Sequence, residues 1–113
     1  MPRENSRIEL LQGTLDLLIL RTLLFGASHG HAISKRIRAL SEDVLQVETG
    51  SLYPALHRLE AQGWISSSWE LSDKGKRAKY YELTKSGRKQ LTAEQSKWEQ
   101  LSIAMARVLR PAE

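Results

Sequence analysis

The chain has 113 residues, 41% hydrophobic and 27% charged, the size and balance of one folded domain rather than a disordered chain. Lys and Arg number 17 against 13 Asp and Glu, a formal charge of +4 that permits an anionic partner without demanding one. Cysteine is absent, which excludes disulfides, thiolate nucleophiles and Cys-based metal sites and favours a cytoplasmic location.

Leu10 to Phe25 is leucine-rich and follows Arg3 and Arg7, but Asp16 and Arg21 interrupt it, and its longest apolar run is Leu17-Leu18-Ile19-Leu20. A membrane span needs about 20 apolar residues and a signal segment about 7–15. The stretch therefore reads as a buried helix, with no membrane role. Ser6-Arg7-Ile8-Glu9 fits the S-x-x-E capping box, and the helix is expected to run from there to Phe25 and stop at Gly26. It is apolar over most of its circumference, which a partner subunit would explain. Leu11, Leu15 and Leu18 are its candidate dimer contacts.

Ala27 to Gly30 reads as a short turn. A second helix is predicted from His31 to Leu40, with Ile33, Ile37 and Leu40 on one apolar stripe. Ser34 and Lys35 lie off that stripe. Ser41 to Thr49 is an acidic connector. Gly50 and Ser51 open a third helix to Gln62, with Pro54 expected in its first turn. Leu52, Leu56 and Leu59 make the buried stripe, and Gly63 is placed to end the helix. Trp64 to Glu70 and Ala78 to Leu83 read as the two strands of a hairpin around a polar loop, Leu71 to Arg77. Tyr81 and Leu83 are expected to face the core and Tyr80 to be exposed.

Thr84 is placed to N-cap a long last helix ending near Arg110. Leu91, Trp98 and Met105 are spaced by seven, as are Glu94, Leu101 and Val108, offset by three. This is a heptad seam with one polar member, Glu94. The candidate dimer interface is thus Leu91, Trp98, Leu101, Met105 and Val108, together with the three leucines of the first helix.

The order helix, helix, helix, strand, strand, helix predicts a mainly α fold with a small β-hairpin. It is that of a winged helix-turn-helix plus a C-terminal dimerisation helix. Residues 1–84 form the DNA-binding domain and 85–113 the dimerisation helix. In such a fold the third helix enters the major groove and the wing reaches the flanking backbone or minor groove. Charge placement agrees. Lys74, Lys76, Arg77, Lys79, Lys85, Arg88 and Lys89 face only Glu82 in that window, giving +6 there and −2 elsewhere. Ser51, Tyr53, Pro54, His57 and Arg58 lie off the leucine stripe, and Ser, Tyr, His and Arg are residue types that contact bases or phosphates. Ser34, Lys35, Lys74, Lys76, Arg77, Lys79 and Tyr80 complete the candidate DNA-binding set.

His29, His31 and His57 match no metal-ligand motif, so no metal and no cofactor is expected. There is no nucleophile elbow and no phosphate-binding loop, so no enzyme activity is expected. Trp98 either packs in the dimer seam or lines a cavity for a flat, small aromatic effector. An alternative function is a winged-helix protein-interaction module whose basic face meets an acidic partner.

Gly50-Ser51-Leu52-Tyr53-Pro54-Ala55-Leu56-His57-Arg58-Leu59-Glu60, followed by Gly63-Trp64-Ile65, resembles the signature of PadR-type transcriptional regulators. Lys79-Tyr80-Tyr81-Glu82-Leu83-Thr84, with Gly87, is similar to that family's second wing strand and next helix start. His29-Gly30 with Ile33 and Lys35-Arg36-Ile37 is similar to its second helix. The likeness spans about Leu10 to Leu91 and departs at His31-Ala32, where the family often has an aromatic residue after the glycine. The single last helix resembles the short subgroup. The resemblance implies a homodimer joined by the first and last helices. It also implies a repressor of a nearby promoter, acting on double-stranded DNA and released by a small ligand.

Overall fold

The computed structural model describes residues 8–9 and 12–111. In chain order they form β1 (Ile8–Glu9), α1 (Gln12–Leu23), β2 (Ser28–His29), α2 (Gly30–Leu40), β3 (Leu45–Gln46), α3 (Thr49–Ala61), β4 (Ile65–Leu71), β5 (Arg77–Leu83) and α4 (Lys85–Leu109). This is the expected winged helix with a long last helix. Among the described residues no helix is long and apolar enough to cross a membrane.

The core joins every layer. Leu15, Ile19, Leu20 and Leu23 of α1 meet Ile33 and Ile37 of α2, and Leu52, Ala55, Leu56 and Leu59 of α3. Ile65, Tyr81 and Leu91 close it from the strands and α4. The i, i+3, i+4 spacing of these residues explains why the three helices pack face to face. Tyr81 and Leu83 turn inward as the alternation predicted, Leu83 being only partly buried.

The start of the chain departs from the sequence reading. Ser6 and Arg7 lie outside the described residues, and Glu9 is extended, paired in parallel with Gln46. The capping box therefore does not open α1, which begins at Gln12. A second correction concerns the turn before α2. Ser28 and His29 form a strand against Tyr81 and Tyr80, so the hairpin becomes a three-stranded sheet of order β2-β5-β4. The third concerns Pro54. Since α3 starts at Thr49, Pro54 is in its second turn, and the Gly50 carbonyl loses the N–H that any other residue at 54 would offer it.

The ends of the elements behave as their residues dictate. Gly63, at φ +80°, closes α3 in a Schellman motif, with Gly63 N–H donating to the Glu60 carbonyl at 2.9 Å and Trp64 N–H to the Leu59 carbonyl at 3.1 Å. Thr84 caps α4 by accepting from Gly87 N–H at 2.9 Å, and its hydroxyl donates to the Gly63 carbonyl at 2.7 Å. One threonine thus ties the end of α3 to the start of α4. Ser67 adds a tie by donating to Glu60 at 2.6 Å. Wing and α3 are therefore held in one rigid relation at their base.

Two candidate dimer residues are corrected by burial. Leu15 and Leu91 are enclosed by the chain's own core and have no surface left to offer a second subunit. Leu11 lies outside the described residues. Leu18 is only partly buried against the core. Trp98, Leu101, Met105 and Val108 are all exposed, and so is Ile103.

Candidate nucleic-acid interface

The exposed face of α3 and one face of the wing line a single concave surface of about 580 Å³. Tyr53 and His57 come from α3, and Lys76, Arg77 and Lys79 from the wing. His29, Gly30 and His31 come from the entrance to α2. No carboxylate lines it among the described residues. Among the described residues, Lys79 is the one of its positive side chains with a carboxylate near, Glu60 at 3.8 Å.

Tyr53 is held across the start of α2. A Cβ on Gly30 would come within 2.7 Å of the Tyr53 hydroxyl oxygen, so the glycine makes room for the ring. His29 caps α2, its Nδ1 accepting from Ala32 N–H at 3.1 Å, and its ring meets Tyr80 edge-on at 5.3 Å. These contacts fix the mouth of α2 beside α3.

Not every sequence candidate reaches this surface. Arg58 is the clearest correction. Its Nη2 donates to Asp16 of α1 at 2.8 Å, on a different side of α3 from Tyr53 and His57. Its Nε is buried with no hydrogen-bond partner among the described residues. Burial pushes the Asp16 carboxyl above its ordinary range. The Arg58 hydrogen bond and charge oppose that shift, and the Glu94 charge adds to it. Arg58 therefore joins α3 to α1 and lies outside the concavity that Tyr53 and His57 line. Ser34 donates its hydroxyl to the His31 carbonyl at 3.0 Å within its own helix. Ser51 and Pro54 are exposed on α3 but outside the concavity.

Lys35, Lys74 and Tyr80 belong to a second concave surface of about 760 Å³, between α2 and the wing tip. Tyr80 alternates with Lys79 and Tyr81 along β5, so this surface lies on the other face of the sheet. The expected single DNA-binding set thus splits in two. Sequence reasoning also missed Trp69, which lines the first surface beside Arg77. The signal was its register opposite Lys79, which requires knowing how the hairpin pairs.

Trp98 sits in a shallow groove of about 300 Å³ between α1 and α4, with Gly13, Thr14, Leu17, Glu94, Lys97 and Leu101. Among the described residues no group of three or more His, Cys, Asp or Glu is placed to hold a metal ion.

Residues 19–93 match the model of the transcriptional regulator PadR-like family. A transcriptional regulator from Clostridium thermocellum has a similar structure, with a TM-score of 0.80 and 31% identity, covering 88% of this chain and 96% of that one. A PadR family transcription regulator from Clostridium difficile R20291 is similar at a TM-score of 0.73 and 31% identity, over 84% and 97% of the two chains. A transcriptional regulator of Mycobacterium tuberculosis is 40% identical over 63 residues, 56% of this chain and 58% of that protein.

Proposed function

Since the chain belongs to the transcriptional regulator PadR-like family, whose members are not enzymes, we propose that it is a repressor that binds a pseudo-palindromic operator as a homodimer. The observation that carries the reading is the carboxylate-free concavity shared by α3 and the wing. Tyr53 and His57 contact base edges or fix register in the major groove, and Lys76, Arg77 and Lys79 neutralise phosphates. Lys35 and Lys74, on the far side of the wing, contribute to the field that attracts the duplex.

Dimerisation supplies the second half-site. Residues 1–84 act as the DNA-binding domain. Residues 85–113 act as the dimerisation helix, although the first two turns of α4 also complete the core through Gly87 and Leu91. Trp98, Leu101, Met105 and Val108 are the α4 contacts, with Leu18 from α1. Two recognition helices about 34 Å apart would meet successive major grooves. A small aromatic effector in the groove beside Trp98 would change the angle between the two α4 helices and move the recognition helices off that spacing. Such an effector acts only by binding one angle better than the other.

Selection of bound fragments from the source genome tests the reading. The expected result is enrichment of a promoter-proximal site with two related half-sites one turn apart. Fragments recovered without a shared sequence, or none at low salt, would contradict it and favour an acidic protein partner.

A further inference from the structure

The wing carries a large aromatic side chain to which the proposed function assigns no role. Trp69 of β4 is 59% exposed. It stands opposite Lys79 in the antiparallel register, with Arg77 and Tyr81 one step along the same face of β5. The Arg77 guanidinium lies over the Trp69 ring, 5.3 Å from its centroid, and the Lys79 ammonium lies 5.8 Å from the Tyr81 centroid. Cations and rings therefore alternate along this face, which runs into Tyr53 and His57 of α3 within one concavity. Leu71, opposite Arg77 at the wing tip, is exposed as well.

An apolar ring left open to water between positive side chains, on a surface without carboxylates, fits one kind of occupant closely. A DNA minor groove, about 6 Å wide, presents a row of phosphates on each side of a floor of sugars and base edges. Phosphates complement the cations, and the floor takes an apolar or aromatic wedge. Where the groove is narrow, as in A·T-rich sequence, its negative potential draws in arginine. Arg77 already lies over the Trp69 ring, so it enters such a groove with less side-chain freedom to lose.

We propose that Trp69 is a DNA-contact residue of the wing. It lies against the minor groove flanking each half-site and holds Arg77 on its face, so that the wing senses the A·T content of the flank. This rests on the DNA-binding reading above. The ring is uncharged, so it adds affinity without adding a released counterion.

The test uses the full chain and two duplexes with identical selected half-sites, one with A·T flanks and one with G·C flanks. Affinity is measured across salt concentrations. The wild type is expected to bind the A·T-flanked duplex about tenfold more tightly. Trp69→Ala is expected to abolish that preference and to keep the wild-type salt slope. Arg77→Lys keeps the charge and loses the planar guanidinium, so it too should keep the slope and lose the preference. Trp69→Phe should retain part of it, which separates a lost contact from a misfolded wing. Trp69→Ala binding both duplexes as the wild type does, or losing affinity equally on both, overturns the role of Trp69. A wild type that binds neither duplex removes the DNA reading itself, and this inference with it.

Discussion

His57 and Arg58 are neighbours in the chain and part company in the fold. His57 faces the open concavity, whereas Arg58 turns to Asp16. The leucine stripe at 52, 56 and 59 made His57 and Tyr53 legible as polar residues off the apolar face of α3. It could not assign Arg58, since the partner is 42 residues away and no local pattern links the two. Asp16 sets a pH prediction. Burial raises its carboxyl above the ordinary carboxylate range, so the folded chain binds that proton more readily than the unfolded chain. Asp16 therefore contributes most to stability below the unfolded carboxylate value, and the contribution is lost as pH rises through the folded one. Urea melts of wild type and Asp16→Asn are expected to diverge across that acidic window as pH rises, the wild type losing ground. Parallel stability curves would show that Asp16 titrates as it does in the unfolded chain. Gly30→Ala makes a second prediction. Its methyl group displaces the Tyr53 ring, so DNA affinity should fall severalfold while the melting temperature changes little. Unchanged affinity would remove Tyr53 from the interface.

Element boundaries with a chemical stop signal were the most legible. Thr84, Gly63 and the Gly50-Ser51 pair placed three boundaries within a residue or two. What local chemistry could not announce were β2 and the late start of α1. Ser28 and His29 are strand only because Tyr80 and Tyr81 of β5 offer them an edge, and Ile8–Glu9 are extended beside Leu45–Gln46. Pairing partners distant in sequence decided both. The joint between wing and α4 yields a measurable consequence. Thr84→Ala removes the cap on Gly87 N–H and the bond to the Gly63 carbonyl, and should cost about 1–2 kcal/mol in denaturant melts at an unchanged slope. Gly87→Ala is expected to cost more, about 3 kcal/mol, because its Cβ would collide with the Trp64 carbonyl oxygen, which is backbone and cannot swing aside. A Gly87→Ala protein as stable as the wild type would mean that α4 shifts freely against the wing.

At the scale of the molecule, the chain extends 58 × 36 × 21 Å, and α4 runs well past the core it helps to close. From Lys97 onward every described residue of α4 is exposed, and Trp98, Leu101, Ile103, Met105 and Val108 are among them. The heptad spacing identified most of that apolar row. It also counted Leu91, because spacing alone does not say where a helix leaves its own core. Leu101→Glu should convert a sedimenting dimer to a monomer and weaken operator binding together, since one half-site then binds without the other. The local charge of +6 between Lys74 and Lys89 was visible in the sequence, but its division between two faces of one sheet was not. The central claim is that the concave face shared by α3 and the wing binds duplex DNA through its phosphates. Affinity for the DNA upstream of the chain's own gene, measured by anisotropy from low to moderate salt, tests it most directly. The account predicts a log–log slope of about −4 or steeper for a dimer, reduced by about 1–2 in Lys76→Ala. Binding that ignores salt, or no binding at the lowest salt, would contradict it.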